Sequence, residues 1–134
     1  MRLHPCGPLV DQVDVGLVRD RSDNNIVVRD YVAEKFAALD AQVLDISPDS
    51  IYSHMAWQKH DIGTMHFPMC SDFYPPTAVI RAYDILREGP PLPGICERAV
   101  FIVDKSGKIA FAKVYPLDRT PDNGELLKAL QELQ

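Results

Sequence analysis

The chain has 134 residues, 46% of them hydrophobic and 25% charged, with a formal net charge of −5. That length suits one domain with one modest core, and the acidic balance argues against a nucleic-acid groove or a polybasic membrane patch. No apolar run approaches the roughly 18–20 residues that span a bilayer, and the opening MRLHPCGPLV lacks the apolar core of a secretory signal, so the expected setting is the cytoplasm.

Residues 1–25 are the least regular part. Leu9 to Val18 alternates loosely, with Val13, Val15 and Leu17 on one side of a possible strand that Gly16 weakens. Arg19 to Asn25 reads as a polar loop. From about Ile26 to Leu39, Val28, Val32, Phe36 and Leu39 recur at three- and four-residue steps, which predicts a helix with one core face. Val43, Leu44 and Ile46 form a short apolar run closed by Ser47-Pro48-Asp49-Ser50, a buried strand followed by a turn. Asp49 or Ser50 is placed to cap a helix carrying Ile51, His54, Met55 and Trp57. Asp45 within the strand either faces solvent at a strand end or marks a relaxed position, because a buried carboxylate needs partners.

His60 to Gly63 stops that helix. Phe67 to Asp72 suits a short edge strand, since Pro68 cannot sit mid-sheet. Pro75-Pro76-Thr77 opens a helix expected over 76–87, and Gly89 to Gly94 follows as an irregular loop. Ala99–Val103, the turn Asp104-Lys105-Ser106-Gly107 and Ile109–Tyr115 predict a β-hairpin. Leu126, Leu127, Leu130 and Leu133 give a last amphipathic helix. The order implies an α/β protein with a thioredoxin-like fold, a mixed central sheet flanked by helices, altered in its N-terminal part. Residues 1–25 form an atypical segment and 26–134 the thioredoxin-like domain. A central first strand is required, and either residues 9–18 or a second chain must supply it.

Several segments together resemble peroxiredoxins of the alkyl hydroperoxide reductase C/thiol-specific antioxidant type: AQVLDISPDSIYSHMAW (41–57), FPMCSDFYP (67–75), RAYDILRE (81–88) and ICERAVFIVDKSGKIAFAKVYP (95–116). They run in family order over roughly residues 26–134. The resemblance implies a thioredoxin fold, a reduced cytosolic setting, a hydroperoxide substrate with an external thiol reductant, and a homodimer. It also implies that Arg98 is the arginine facing the peroxidatic thiol. The family places that thiol at a helix N-terminus, around positions 19–22 here, where this chain has Arg19, Asp20, Arg21 and Ser22.

A peroxide-reducing thiol must be ionised, reachable and flanked by helix N–H groups and an arginine. The candidate catalytic residues are therefore Arg98, Cys6 and Cys96. Cys6, in His4-Pro5-Cys6-Gly7-Pro8, lies well ahead of the expected place, and its alternative reading is a thiol in a loose N-terminus. Cys96 stands two residues before Arg98, or is simply a small turn residue. Cys70 reads as core. An odd count of three cysteines with no C-x-x-C suits reduced thiols better than a disulfide framework. His54, His60, His66 and Cys70 lack metal-ligand spacing, and no cofactor motif is present, so neither a metal nor a cofactor is expected. Two functions follow: thiol-dependent reduction of hydroperoxides with a substitute cysteine, or a catalytically inactive structural or interaction domain of the same family.

Overall fold

The computed structural model describes residues 13–18, 30–65, 67–119 and 121–134. Among them, five strands form one sheet: β1 (Val13–Val18), β2 (Ala41–Ser47), β3 (Met69–Ser71), β4 (Arg98–Val103) and β5 (Ile109–Tyr115), in the order β3-β2-β1-β4-β5. β1 runs parallel to β2, which runs parallel to β3, while β4 is antiparallel to both β1 and β5. The central strand that the sequence left open is thus filled by this chain's own Val13–Val18. The short expected edge strand and the hairpin are also present, the latter turning through Asp104 to Gly107.

Helices α1 (Asp30–Ala37) and α4 (Asn123–Gln131) pack on one face of the sheet. Phe36, Leu126 and Leu130 meet Val43, Val100, Ile102 and Tyr115 there as one buried cluster. Leu126 and Leu130 are a helical turn apart, which is why both reach the sheet. β2 follows the two-residue period of a strand, with Ala41, Val43, Asp45 and Ser47 buried and the residues between them half-buried. A second cluster of Ile80, Ile85, Cys96 and Ala99 gathers with Leu86 and Phe101 beside the short helix α3 (Ala78–Ala82). Because Ala99 and Val100 alternate along β4, this second cluster lies on the opposite face.

Three expectations change. The helix expected over 76–87 is only Ala78–Ala82. Thr77 and Asp84 take left-handed φ values of 54° and 56°, and beyond Asp84 the chain pairs backbone to backbone. Arg87 N–H donates to the Ile95 carbonyl (2.8 Å) and Glu97 N–H to that of Ile85 (2.7 Å), so Ile85 and Leu86 serve a ribbon instead of a helical turn. The helix expected near 50–60 splits into α2 (Ile51–Trp57) and a wider π-turn at Gln58–Ile62. Finally, Cys70 is buried as expected, at 4% exposure, but it is disulfide-bonded, against the reading of reduced thiols throughout.

Candidate functional site

In an open α/β sheet the working rim lies beyond the carboxyl ends of the parallel strands. Leu17 of β1 pairs with Asp45 on one side and Val100 on the other. One step nearer the rim on the same face stand Ser47 of β2 and Arg98 of β4, with Ser71 of β3 paired to Ser47 and Tyr115 of β5 paired to Arg98. The register therefore sets a row of polar side chains along the rim, flanking the point where the chain leaves β1.

Arg98 is buried, at 4% exposure, and its Nη1 donates to the Arg119 carbonyl at 2.6 Å. That bond holds the guanidinium toward the loop between β5 and α4. A buried charge of this kind persists only with such donors satisfied. Tyr115 donates its hydroxyl to Glu125 Oε2 at 2.9 Å, and Lys113 Nζ reaches both Glu125 oxygens at 2.8 and 2.9 Å. Burial, together with the Glu125 carboxylate, pushes the Tyr115 phenol well above its ordinary range, so it stays protonated. The Lys113 and Tyr115 hydrogen bonds hold the Glu125 carboxyl below its usual range.

At the other end of the row, Ser47 Oγ lies 2.6 Å from His54 Nε2 and donates to Asp49 Oδ2 at 3.0 Å. His54 is buried, so the β2–α2 turn is fixed from beneath by a serine and an imidazole. Ser50 caps α2, its side chain accepting from Ser53 N–H. Ser71 Oγ donates to the Asp49 carbonyl (2.6 Å) and Asp72 N–H to that of Ser47 (2.8 Å), tying the loops after β2 and β3 together. The buried Asp72 carboxylate accepts from Val79 N–H and Ile80 N–H, filling orphan donors at the start of α3.

Of the sequence candidates among the described residues, only Arg98 stands in this row. Cys96 remains a thiol, but it is buried at 3% exposure within the cluster of Ile80, Ile85 and Ala99, on the face opposite Arg98. Cys70 pairs with Ile46, whose side chain alternates with that of Ser47, so it too lies across the sheet from the row. Cys6 falls outside the described residues, as do positions 19–22 and His66. Asp45 is buried at 4% exposure on the α1–α4 face, not turned to solvent at a strand end. Two participants were missed in the sequence. The Arg119 carbonyl left no trace, because a backbone acceptor has no side-chain signature. His54 was weighed as a ligand, although its position one helical turn past the Ser50 cap already aims it back at the strand end.

Solved structures define the class of this arrangement. AhpC of Mycobacterium bovis matches with a TM-score of 0.78 and 26% identity over 91% of this chain and 69% of its own. AhpC of Mycobacterium tuberculosis matches with a TM-score of 0.75 and 25% identity over the same shares. The fold is therefore thioredoxin-like, of the peroxiredoxin type. The AhpC/TSA family model matches residues 28–112. A chloroplastic 2-cysteine peroxiredoxin of Chattonella marina is 33% identical over 75% of this chain and 51% of its own length. The chloroplastic 2-Cys peroxiredoxin BAS1 of Hordeum vulgare is 30% identical over 75% and 48%. This chain belongs to the AhpC/TSA family of peroxiredoxins, and it spans about half the length of the curated relatives it matches.

Proposed function

We propose that this chain is a peroxiredoxin-family domain that keeps the fold and the rim arginine without a peroxidatic thiol, and that it works as a structural, self-associating module. The observation that carries this reading is the placement of sulfur. Both cysteines among the described residues lie on the face of the sheet opposite Arg98, and Cys96 is nearly inaccessible. The stretch where the family resemblance puts the thiol reads Arg19-Asp20-Arg21-Ser22, and neither guanidinium nor hydroxyl forms a sulfenic acid. Homodimer formation is part of the same proposal. β5 closes the sheet as a seven-residue edge strand with Ile109 and Val114 each 54% exposed, a ready template for pairing with another copy.

The second reading keeps the hydroperoxide substrate and an external thiol reductant, with Cys6 as nucleophile after that reductant has opened the disulfide that holds Cys70. It requires the Cys6 sulfur to reach the Arg98 guanidinium, attack the O–O bond and become a sulfenic acid as alkoxide or hydroxide leaves and takes a proton. Peroxide consumption with a dithiol reductant, on the wild type and on Cys6→Ser and Cys96→Ser, separates the two. The module reading expects a slow, non-saturating rate like that of a solvent-exposed thiol. Saturable turnover abolished by either substitution would establish the peroxidase instead.

A further inference from the structure

Cys70 is disulfide-bonded, Cys96 is a free buried thiol, and the chain holds three cysteines. Within one chain the partner of Cys70 can only be Cys6. The register of the sheet tests whether one chain can close that link. Cys70 pairs with Ile46, and Ile46 pairs with Val18, so Cys70 stands two strand spacings from β1 and level with its far end. At about 4.8 Å between strands and about 3.3 Å per residue along β1, that is roughly 19 Å from Val13. The run from Cys6 to Val13 reaches up to about 23–25 Å when extended. The link therefore closes within one chain, with little slack.

Its place in the fold decides what it does. The ring from residue 6 to residue 70 encloses β1, α1, β2, α2 and the first residues of β3, and so every parallel pairing of the sheet. β3 itself is a three-residue edge strand, joined to the rest of the sheet through β2. Beyond the ladder, Asp45 N–H bonds the Pro68 carbonyl (3.0 Å), Asp72 N–H that of Ser47 (2.8 Å), and Ser71 Oγ the Asp49 carbonyl (2.6 Å). A cross-link acts chiefly by restricting the unfolded chain, and the effect grows with the length of the ring it closes. Here it constrains half of the molecule, including the element with the fewest ladder bonds. Neither cysteine stands at positions 19–22, where the family resemblance puts a reactive thiol, so the bond serves as a brace and not as a step of turnover.

We propose that Cys6 and Cys70 form a disulfide within one chain, and that its opening by a dithiol switches the fold from a braced to a weakened state. One thiolate of the dithiol attacks a cysteine sulfur, the S–S bond breaks, and the departing cysteine takes a proton. The second thiol of the reductant then displaces the first and closes the reductant's own disulfide, so two electrons pass to the cysteines. The inference stands whether or not peroxide is reduced. Urea unfolding of the full chain, oxidised and in dithiothreitol, followed by circular dichroism, is the test. The midpoint is expected to fall by about 1–2 M on reduction. Cys6→Ser, which leaves Cys70 in place, should unfold at the reduced midpoint in both conditions, and Cys96→Ala should keep the full gap between them. A single-chain band is expected on a non-reducing gel. Equal wild-type midpoints in the two conditions, or a dithiothreitol response that survives in Cys6→Ser, would overturn the proposal. So would a two-chain band that disappears in Cys70→Ser, because the bond would then join copies.

Discussion

Asp72 shows how one side chain can hold several elements. Its backbone N–H bonds the end of β2, its backbone carbonyl accepts from Thr77 N–H, and its carboxylate accepts from Val79 and Ile80. Removing a capping carboxylate of this kind ordinarily costs about 0.5–2 kcal/mol. Asp72→Ala should fall in that range by urea titration, and an unchanged midpoint would mean that α3 does not depend on the carboxylate. Nothing in the sequence marked this role, because the aspartate sits well ahead of the helix and reaches it through a turn. Glu125 and Asp104 allow a pH test. Hydrogen bonds from Lys113 and Tyr115 hold the first below its ordinary pKa of 4.5, and Ser106 with Lys108 holds the second below 3.8. Depressed folded-state values mean stability that is present above those ordinary values and lost as the pH falls below them. Glu125→Gln should therefore lose less stability than the wild type between neutral and acid pH, and parallel stability–pH curves would show that the pair with Lys113 contributes nothing.

At the scale of elements, legibility followed how local the cause was. The hairpin was plain because its turn chemistry is contained in Asp104-Lys105-Ser106-Gly107. Asp104 Oδ1 accepts from Ser106 N–H (2.8 Å) and Lys108 N–H (3.0 Å), and Gly107 supplies the left-handed φ of 81°. An added Cβ at Gly107 meets open space, so Gly107→Ala tests backbone strain alone. It should cost about 1–2 kcal/mol, and a neutral result would mean that the turn relaxes into another form. β2 and α4 were legible for a similar reason, since their apolar periods match their burial. α3 was overestimated because its apolar spacing continues past Ala82. The residues that should have extended it are claimed by pairing with Ile95 and Glu97, a partner segment that spacing within one helix cannot reveal. β1 was the reverse case. Gly16 and Asp14 weaken its strand signal, yet pairing on both sides with β2 and β4 imposes the strand.

For the whole molecule, the fold came through and the chemistry did not, for one physical reason. Sheet and helix patterns are spread over many residues, so a family outline persists when a short segment differs. A thiolate site depends on one sulfur at one helix N-terminus within reach of one arginine. Arg98 was singled out through the family resemblance of residues 95–116, since no local pattern marks its role. Its role as a buried donor to the loop after β5 needed coordinates. Among the described residues no helix is long and apolar enough to cross a membrane. We propose that this peroxiredoxin-family chain retains the arginine without a working thiol. The most direct test is the rate of hydroperoxide consumption under excess dithiol, comparing the wild type with Arg98→Ala. A working site would lose at least about a hundredfold when a preorganised donor to the developing charge is removed. Equal, slow and non-saturating rates are the predicted result. A fast, saturable wild-type rate that collapses in Arg98→Ala would contradict the account.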